Sequence, residues 1–143
     1  MKPAQVRFYV DADILGLGKV LAGLRTDVTH PGDPGLVLHR RHRAACPVTS
    51  PRAEDPEWIP VVAAAGWLVI TRDRHILEHR REIEAVVEHR ACLVALSAPD
   101  ATTTWTQLET VMCQWRGIDE LAALPGPFIY RATRTSLQKL DLE

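Results

Sequence analysis

Four aspartates stand where carboxylates can act together. Asp11 and Asp13 follow the run Val6-Arg-Phe-Tyr-Val10, Asp55 opens a helix-like stretch, and Asp73 follows Trp67-Leu-Val-Ile-Thr71. Carboxylates just beyond the C-terminal ends of buried parallel strands converge on the crevice where an open α/β sheet binds its ligands. If Asp11, Asp55 and Asp73 lie within about 5 Å of one another, each like-charged pair costs roughly 3 kcal/mol at an effective dielectric of about 20. Such a cluster persists only by raising some of its pKa values or by holding a cation. Oxygen-only ligands open to solvent suit Mg2+ or Mn2+, which keep several waters and bind phosphate. An ion held there generates hydroxide for in-line attack, so the chemistry these acids suit is phosphodiester hydrolysis.

The elements that must position the acids can be read from the pattern. Val6-Arg-Phe-Tyr-Val10 is a short β-branched and aromatic run, and Ile14 to Leu24 carries apolar residues at helical spacing. Gly16, Gly18 and Gly23 each weaken that helix by about 1 kcal/mol relative to alanine, so close packing is expected to account for them. Asp27-Val-Thr29 reads as a short second strand. Between His30 and Arg52, prolines at 31, 34, 47 and 51 and glycines at 32 and 35 predict irregular chain, apart from a short element around Leu36-Val-Leu-His-Arg-Arg41. Glu54-Asp55-Pro56-Glu57 is a helix start, with Asp55 suited to the N-cap and Pro56 to the first helical position. Pro60 should distort that helix without ending it before Gly66.

Trp67 to Thr71 is a nearly all-apolar run and reads as a central parallel strand. Glu78 to His89 fits an amphipathic helix, Ala91 to Ser97 a further buried strand, and Thr103 to Ile118 a helix with Trp105, Leu108, Val111, Met112 and Trp115 at helical spacing. Phe128-Ile-Tyr-Arg131 is a last strand, followed by a short tail with Leu137, Leu140 and Leu142. Alternating strands and helices imply an α/β fold, a three-layer α/β/α sandwich around a mostly parallel sheet.

At 143 residues, 46% apolar and 24% charged, the chain fits a single domain over 1–143. No stretch has the length of a membrane span and the start lacks a signal-peptide pattern, so the expected compartment is the cytoplasm. Cys46, Cys92 and Cys113 lack a C-x-x-C pair and are read as reduced thiols, two of them in the core. A formal net charge of −1 excludes a globally basic nucleic-acid binder, leaving local basic patches. Two stand out. Arg72, Arg74, His75, His79, Arg80 and Arg81 could rim a phosphate site, and His39-Arg-Arg-His42-Arg43 could contact RNA or form a solvated face. Zinc at the second cluster, with Cys46, lacks a nearby fourth ligand.

With these residues the chain resembles the PIN-domain ribonucleases, specifically the VapC-like toxins of type II toxin–antitoxin pairs and their compact PIN-like relatives. The resemblance rests on Phe8-Tyr-Val-Asp11, Asp55-x-x-Trp58-Ile59, Gly66-Trp67-Leu-Val-Ile-Thr71-Arg72-Asp73 and Pro127-Phe-Ile-Tyr-Arg131. It implies a divalent-metal-dependent endoribonuclease. Asp11, Asp55 and Asp73 would be metal ligands, Asp13 an assisting catalytic acid, Thr71 a support from the strand end, and Arg72 and Arg74, with Thr71, substrate contacts. It further implies RNA as substrate, a cognate antitoxin as partner and a homodimer. The chain departs from the pattern in carrying His75 where relatives often have a second acid, and in lacking an early-helix glutamate, for which Asp33 is the nearest candidate.

Two other readings compete. A non-catalytic PIN-like binding module would keep the fold without the cleavage. Asp11-Ala-Asp13 also resembles the first motif of haloacid-dehalogenase-type phosphotransferases, with Asp11 as nucleophile. Against it, the only lysines are Lys2, Lys19 and Lys139, and no glycine-aspartate metal loop is found.

Overall fold

The computed structural model describes residues 1–72 and 80–142. In chain order the elements are β1 (Lys2–Pro3), β2 (Phe8–Val10), a 3-10 turn (Ala12–Ile14), α1 (Leu15–Leu24), β3 (Val28–Thr29), β4 (Leu36–Leu38), β5 (Arg41–Arg43) and α2 (Asp55–Ala64). There follow β6 (Leu68–Arg72), α3 (Arg80–His89), β7 (Cys92–Leu96), α4 (Thr104–Cys113), α5 (Trp115–Leu121), β8 (Phe128–Ala132) and β9 (Leu137–Lys139). The main sheet runs β3-β2-β6-β7-β8-β9, parallel except for β9. This is the expected three-layer α/β/α arrangement. Among the described residues, no helix is long and apolar enough to cross a membrane.

Both faces of the sheet are covered, which is why its central strands are apolar at nearly every position. On one face Phe8, Val10, Leu68, Ile70, Val94 and Leu96 pack with Leu17 and Leu21 of α1, Val111 of α4 and Ile118 of α5. On the other, Tyr9, Val69, Leu93 and Ile129 meet Trp58, Ile59 and Val62 of α2 and Val86 of α3. Tyr9 lies between two indoles, its ring centroid 5.4 Å from Trp58 and 6.5 Å from Trp67. Aromatic stacking of this kind adds about 1 kcal/mol beyond area burial. Here it clamps the first turn of α2 against the strand that ends at Asp11.

Several expectations are corrected. The N-cap of α2 is Glu54, and Asp55 is the first helical residue, because the Glu54 carbonyl already accepts from Glu57 and Trp58. As expected, Pro60 sits inside α2 without ending it, and the helix continues to Ala64. The expected single helix from Thr103 breaks at Gln114, whose ψ of 9° leaves the helical region. The break lets Trp115 turn onto Phe8, 5.0 Å between centroids. Trp105 and Met112, read at core spacing, are 73% and 63% exposed. The buried positions of α4 include Gln107 and Thr110, which can be buried because Gln107 donates to Ala101 O and Thr110 to Thr106 O. Residues seven apart share a helix face, so Trp105 and Met112 turn outward together.

The segment expected to be mostly irregular instead folds β4 and β5 into an antiparallel hairpin, and β1 joins β5 to make a second, three-stranded sheet. Its two-residue turn holds His39 at φ 51° and Arg40 at φ 62°. The tail residue Leu137 opens β9. Cys46 is buried, Cys92 half-buried and Cys113 exposed, so one thiol rather than two lies fully in the core. The glycines of α1 divide. A Cβ on Gly16 would overlap Thr104 Oγ1, and one on Gly18 would meet His30 and Val10 at 3.0 and 3.2 Å, whereas one on Gly23 meets nothing within 4 Å.

Candidate active site

The parallel register sets Val10 beside Ile70, and the Asp11 N–H donates to the Ile70 carbonyl at 2.9 Å, so Asp11 leaves β2 level with Thr71 on β6. Asp11 begins the 3-10 turn, and its Oδ1 accepts from the Ala12 N–H at 2.7 Å. That turn bends the chain so that Asp13 comes back over the same strand end. Thr71 Oγ1 lies 3.0 Å from Asp11 Oδ2 and 3.4 and 3.3 Å from the two Asp13 oxygens. One hydroxyl proton cannot serve both carboxylates at once, so Thr71 is shared between them. The Arg72 N–H adds a further contact to Asp13 Oδ2 at 3.3 Å.

Exposure follows a gradient suited to binding. Thr71 is 3% exposed, Asp11 is half-buried and Asp13 is exposed, so the hydroxyl forms a floor and the carboxylates face outward. Asp55 stands at the start of α2, which runs back to β6 and so begins at the same end of the sheet as Thr71. Three residues on, Trp58 is locked against Tyr9. Asp73, Arg74, His75 and His79, named from the sequence, lie outside the described residues. Arg72 is half-buried, while Arg80 and Arg81 are exposed at the start of α3.

Asp33 does not join this group. It is 3% exposed, and Arg43 Nε donates to its Oδ2 at 2.7 Å, with further hydrogen bonds from Thr29 Oγ1 and the Gly35 N–H. Burial pushes the Asp33 carboxyl up, yet the hydrogen bonds from Arg43, Gly35 and Thr29 outweigh it and hold it below the ordinary aspartate value. Its charge is committed to structure. Another acid at this end of the sheet, Asp100 in the loop after β7, was not singled out from the sequence. It pairs with Arg134 at 2.6 Å, and Arg134 also bonds Glu109.

Among the described residues, no three histidine, cysteine or acidic side chains form a ready metal cluster. The described pair, Asp11 and Asp13, offers carboxylate oxygens alone, the donor type that hard divalent cations take. The Arg72 amide on Asp13 carries no sequence signal, since every residue but proline has an N–H. The Thr71 hydroxyl is linked to the aspartates by register, across a separation of about sixty residues.

Comparison with known proteins gives one match. The model of a family described as a PIN-like domain matches residues 6–98, from β2 through β7 to the loop that follows it. No curated protein and no solved structure matches significantly.

Proposed function

The chain belongs to the PIN-like domain family, and on that footing we propose that it is a divalent-metal-dependent endoribonuclease, the toxin of a toxin–antitoxin pair. PIN domains are generally nucleases and typically use divalent metals. The observation that carries the reading is the convergence of Asp11 and Asp13 on one buried hydroxyl at the C-terminal ends of adjacent parallel strands. Two acids gathered at one strand end present carboxylate oxygens to the same space, the donor type that suits a hard divalent cation.

In this reading Asp11, Asp55 and Asp73 hold Mg2+ or Mn2+, and Asp13 assists from the exposed side. When bound, the ion supplies an activated water and charge stabilisation for in-line phosphodiester hydrolysis. Thr71 orients the two carboxylates, and the Arg72 amide gives the exposed Asp13 a second point of attachment. Arg72 and Arg74 steer the phosphate. The protein works as a cytoplasmic homodimer held in check by its antitoxin.

The test is cleavage of structured and unstructured RNA by purified protein in EDTA, Mg2+ or Mn2+, beside Asp11→Asn and Asp73→Asn. Metal-dependent cutting lost in both variants is expected. Cutting that persists in EDTA or in Asp11→Asn would overturn the assignment, and metal binding without any cutting would favour the non-catalytic module. Induced expression in a bacterial host should arrest growth for the wild type and not for Asp11→Asn, and light scattering reports the dimer.

A further inference from the structure

Charge is distributed unevenly over this nearly neutral chain. From Pro34 to Ala53 there is no aspartate or glutamate, while His39, Arg40, Arg41, His42, Arg43 and Arg52 all fall within it. Arg43 turns inward, its side chain 2% exposed, and is neutralised by Asp33. Its guanidinium also donates to the Ala22 and Arg25 carbonyls at 3.0 and 3.1 Å, which ties the hairpin to the C-terminal end of α1. The other basic residues of the hairpin, His39 to His42, are exposed. Lys2 on β1 is aligned with Arg41 on β5 and adds a further exposed cation to that row. Among the described residues, Lys2, Arg40 and Arg41 make no ion pair with a carboxylate. The nearby acid, Asp27, is engaged by Nε and Nη2 of Arg25 and by Arg7.

Asp11 and Asp13 precede α1, whereas the hairpin is tied to its far end. The ten residues of α1 span about 15 Å, so the basic surface and the carboxylates do not cancel each other. The tip places two side chains in the left-handed region, where a two-residue hairpin turn ordinarily carries Asn-Gly. Both tip residues here are basic.

We propose that the β4–β5 hairpin, with Lys2, is an electrostatic arm that grips the phosphate backbone of an RNA strand at a surface separate from the acidic site. The inference rests on the nucleic-acid reading of the protein. The residues of β4, the turn and β5 include no phenylalanine, tyrosine or tryptophan and are dominated by arginine, so the contact is chiefly electrostatic and strongly salt-dependent. An exposed row of cations without a tryptophan or tyrosine anchor fits a polyanionic strand better than the desolvated, charge-depleted core of a protein interface. An arm of this kind retains substrate while the acids act on a bond elsewhere in the strand.

The experiment is fluorescence anisotropy of a labelled, unstructured RNA 20-mer titrated with full-length protein in EDTA, where no metal-dependent cutting occurs. Wild type is compared with His39→Asn/Arg40→Gly and with the same variant carrying Arg41→Gln, over a range of salt. The first variant gives the turn the residues it favours, so its melting temperature should be unchanged or higher. Its binding should nonetheless weaken. The slope of log affinity against log salt should become shallower by roughly 0.7 for each phosphate that the arm no longer neutralises, and so by roughly 1.4 in the triple variant. Unchanged affinity and slope in the triple variant would overturn the arm, as would wild type that binds no RNA or binds polyglutamate in preference to it. Binding that weakens as expected in a protein that never cuts RNA would sustain the arm and remove the nuclease assignment instead.

Discussion

At the scale of single residues, Thr71 holds the site together. Among the described residues its hydroxyl is the side-chain donor that Asp11 and Asp13 share, and it approaches them from the buried strand end. Thr71→Val keeps the shape and removes the hydroxyl, leaving two carboxylates facing a methyl group. Stability should fall by about 1 kcal/mol, since the exposed side of each carboxylate can still be solvated. Groups that orient metal ligands typically govern metal affinity by about 10- to 100-fold. The expected result is therefore RNA cleavage that needs correspondingly more Mg2+ or Mn2+, with Thr71→Ser close to wild type. Metal titration of initial rates checks it, and a Thr71→Val enzyme with an unshifted metal requirement would show that the hydroxyl only fills space. The aspartates themselves were legible in the sequence because each of Asp11 and Asp73 follows an apolar run. That Asp11 and Asp13 share one threonine hydroxyl was not, because it depends on the pairing of β2 with β6, a contact between segments about sixty residues apart.

At the scale of elements, legibility followed burial. The central parallel strands are covered on both faces and so read as apolar runs, and β6 and β7 fall within a residue or so of their expected bounds. The β4–β5 hairpin was hidden for three reasons. Its strands have three residues each, its inward charge is Arg43, and its turn is His39-Arg40 rather than Asn-Gly. Trp105 misled because spacing alone does not say which of two helix faces is inward, and here hydrogen-bonded Gln107 and Thr110 took that side. The glycines separate conformational need from helix weakness. Gly35 has φ +84°, and a Cβ there would lie 2.3 Å from the Arg43 carbonyl oxygen, so Gly35→Ala should lose at least about 2 kcal/mol through strain and displaced backbone. Gly23 is exposed near the end of α1 with open space around it, so Gly23→Ala should gain about 0.5–1 kcal/mol. Chemical denaturation of the two variants should move the midpoint in opposite directions. A destabilising Gly23→Ala would mean that α1 bends or packs there in a way its surroundings do not show.

At the scale of the whole molecule, the arrangement makes folding stability and metal binding one measurement. Asp11 and Asp13 are brought to one hydroxyl in the folded chain but lie apart in open solvent when it unfolds, so a cation bound between them favours folding. A ligand that binds only the folded state at a hundredfold its Kd contributes about 2.7 kcal/mol. For a domain near this size each kcal/mol moves the melting temperature by roughly 2–4 °C, so saturating Mg2+ or Mn2+ should raise Tm by roughly 5–11 °C. EDTA should reverse the rise. Asp11→Asn should abolish the metal-dependent shift while melting close to the wild-type temperature in EDTA, because the amide oxygen can still accept from the Ala12 N–H. Differential scanning fluorimetry of both proteins with and without metal reads all four states. Two outcomes would count against the site: a metal shift of equal size in Asp11→Asn, which would put the cation elsewhere, or a large fall in the metal-free Tm of that variant, which would make Asp11 a structural cap of the turn at the end of β2.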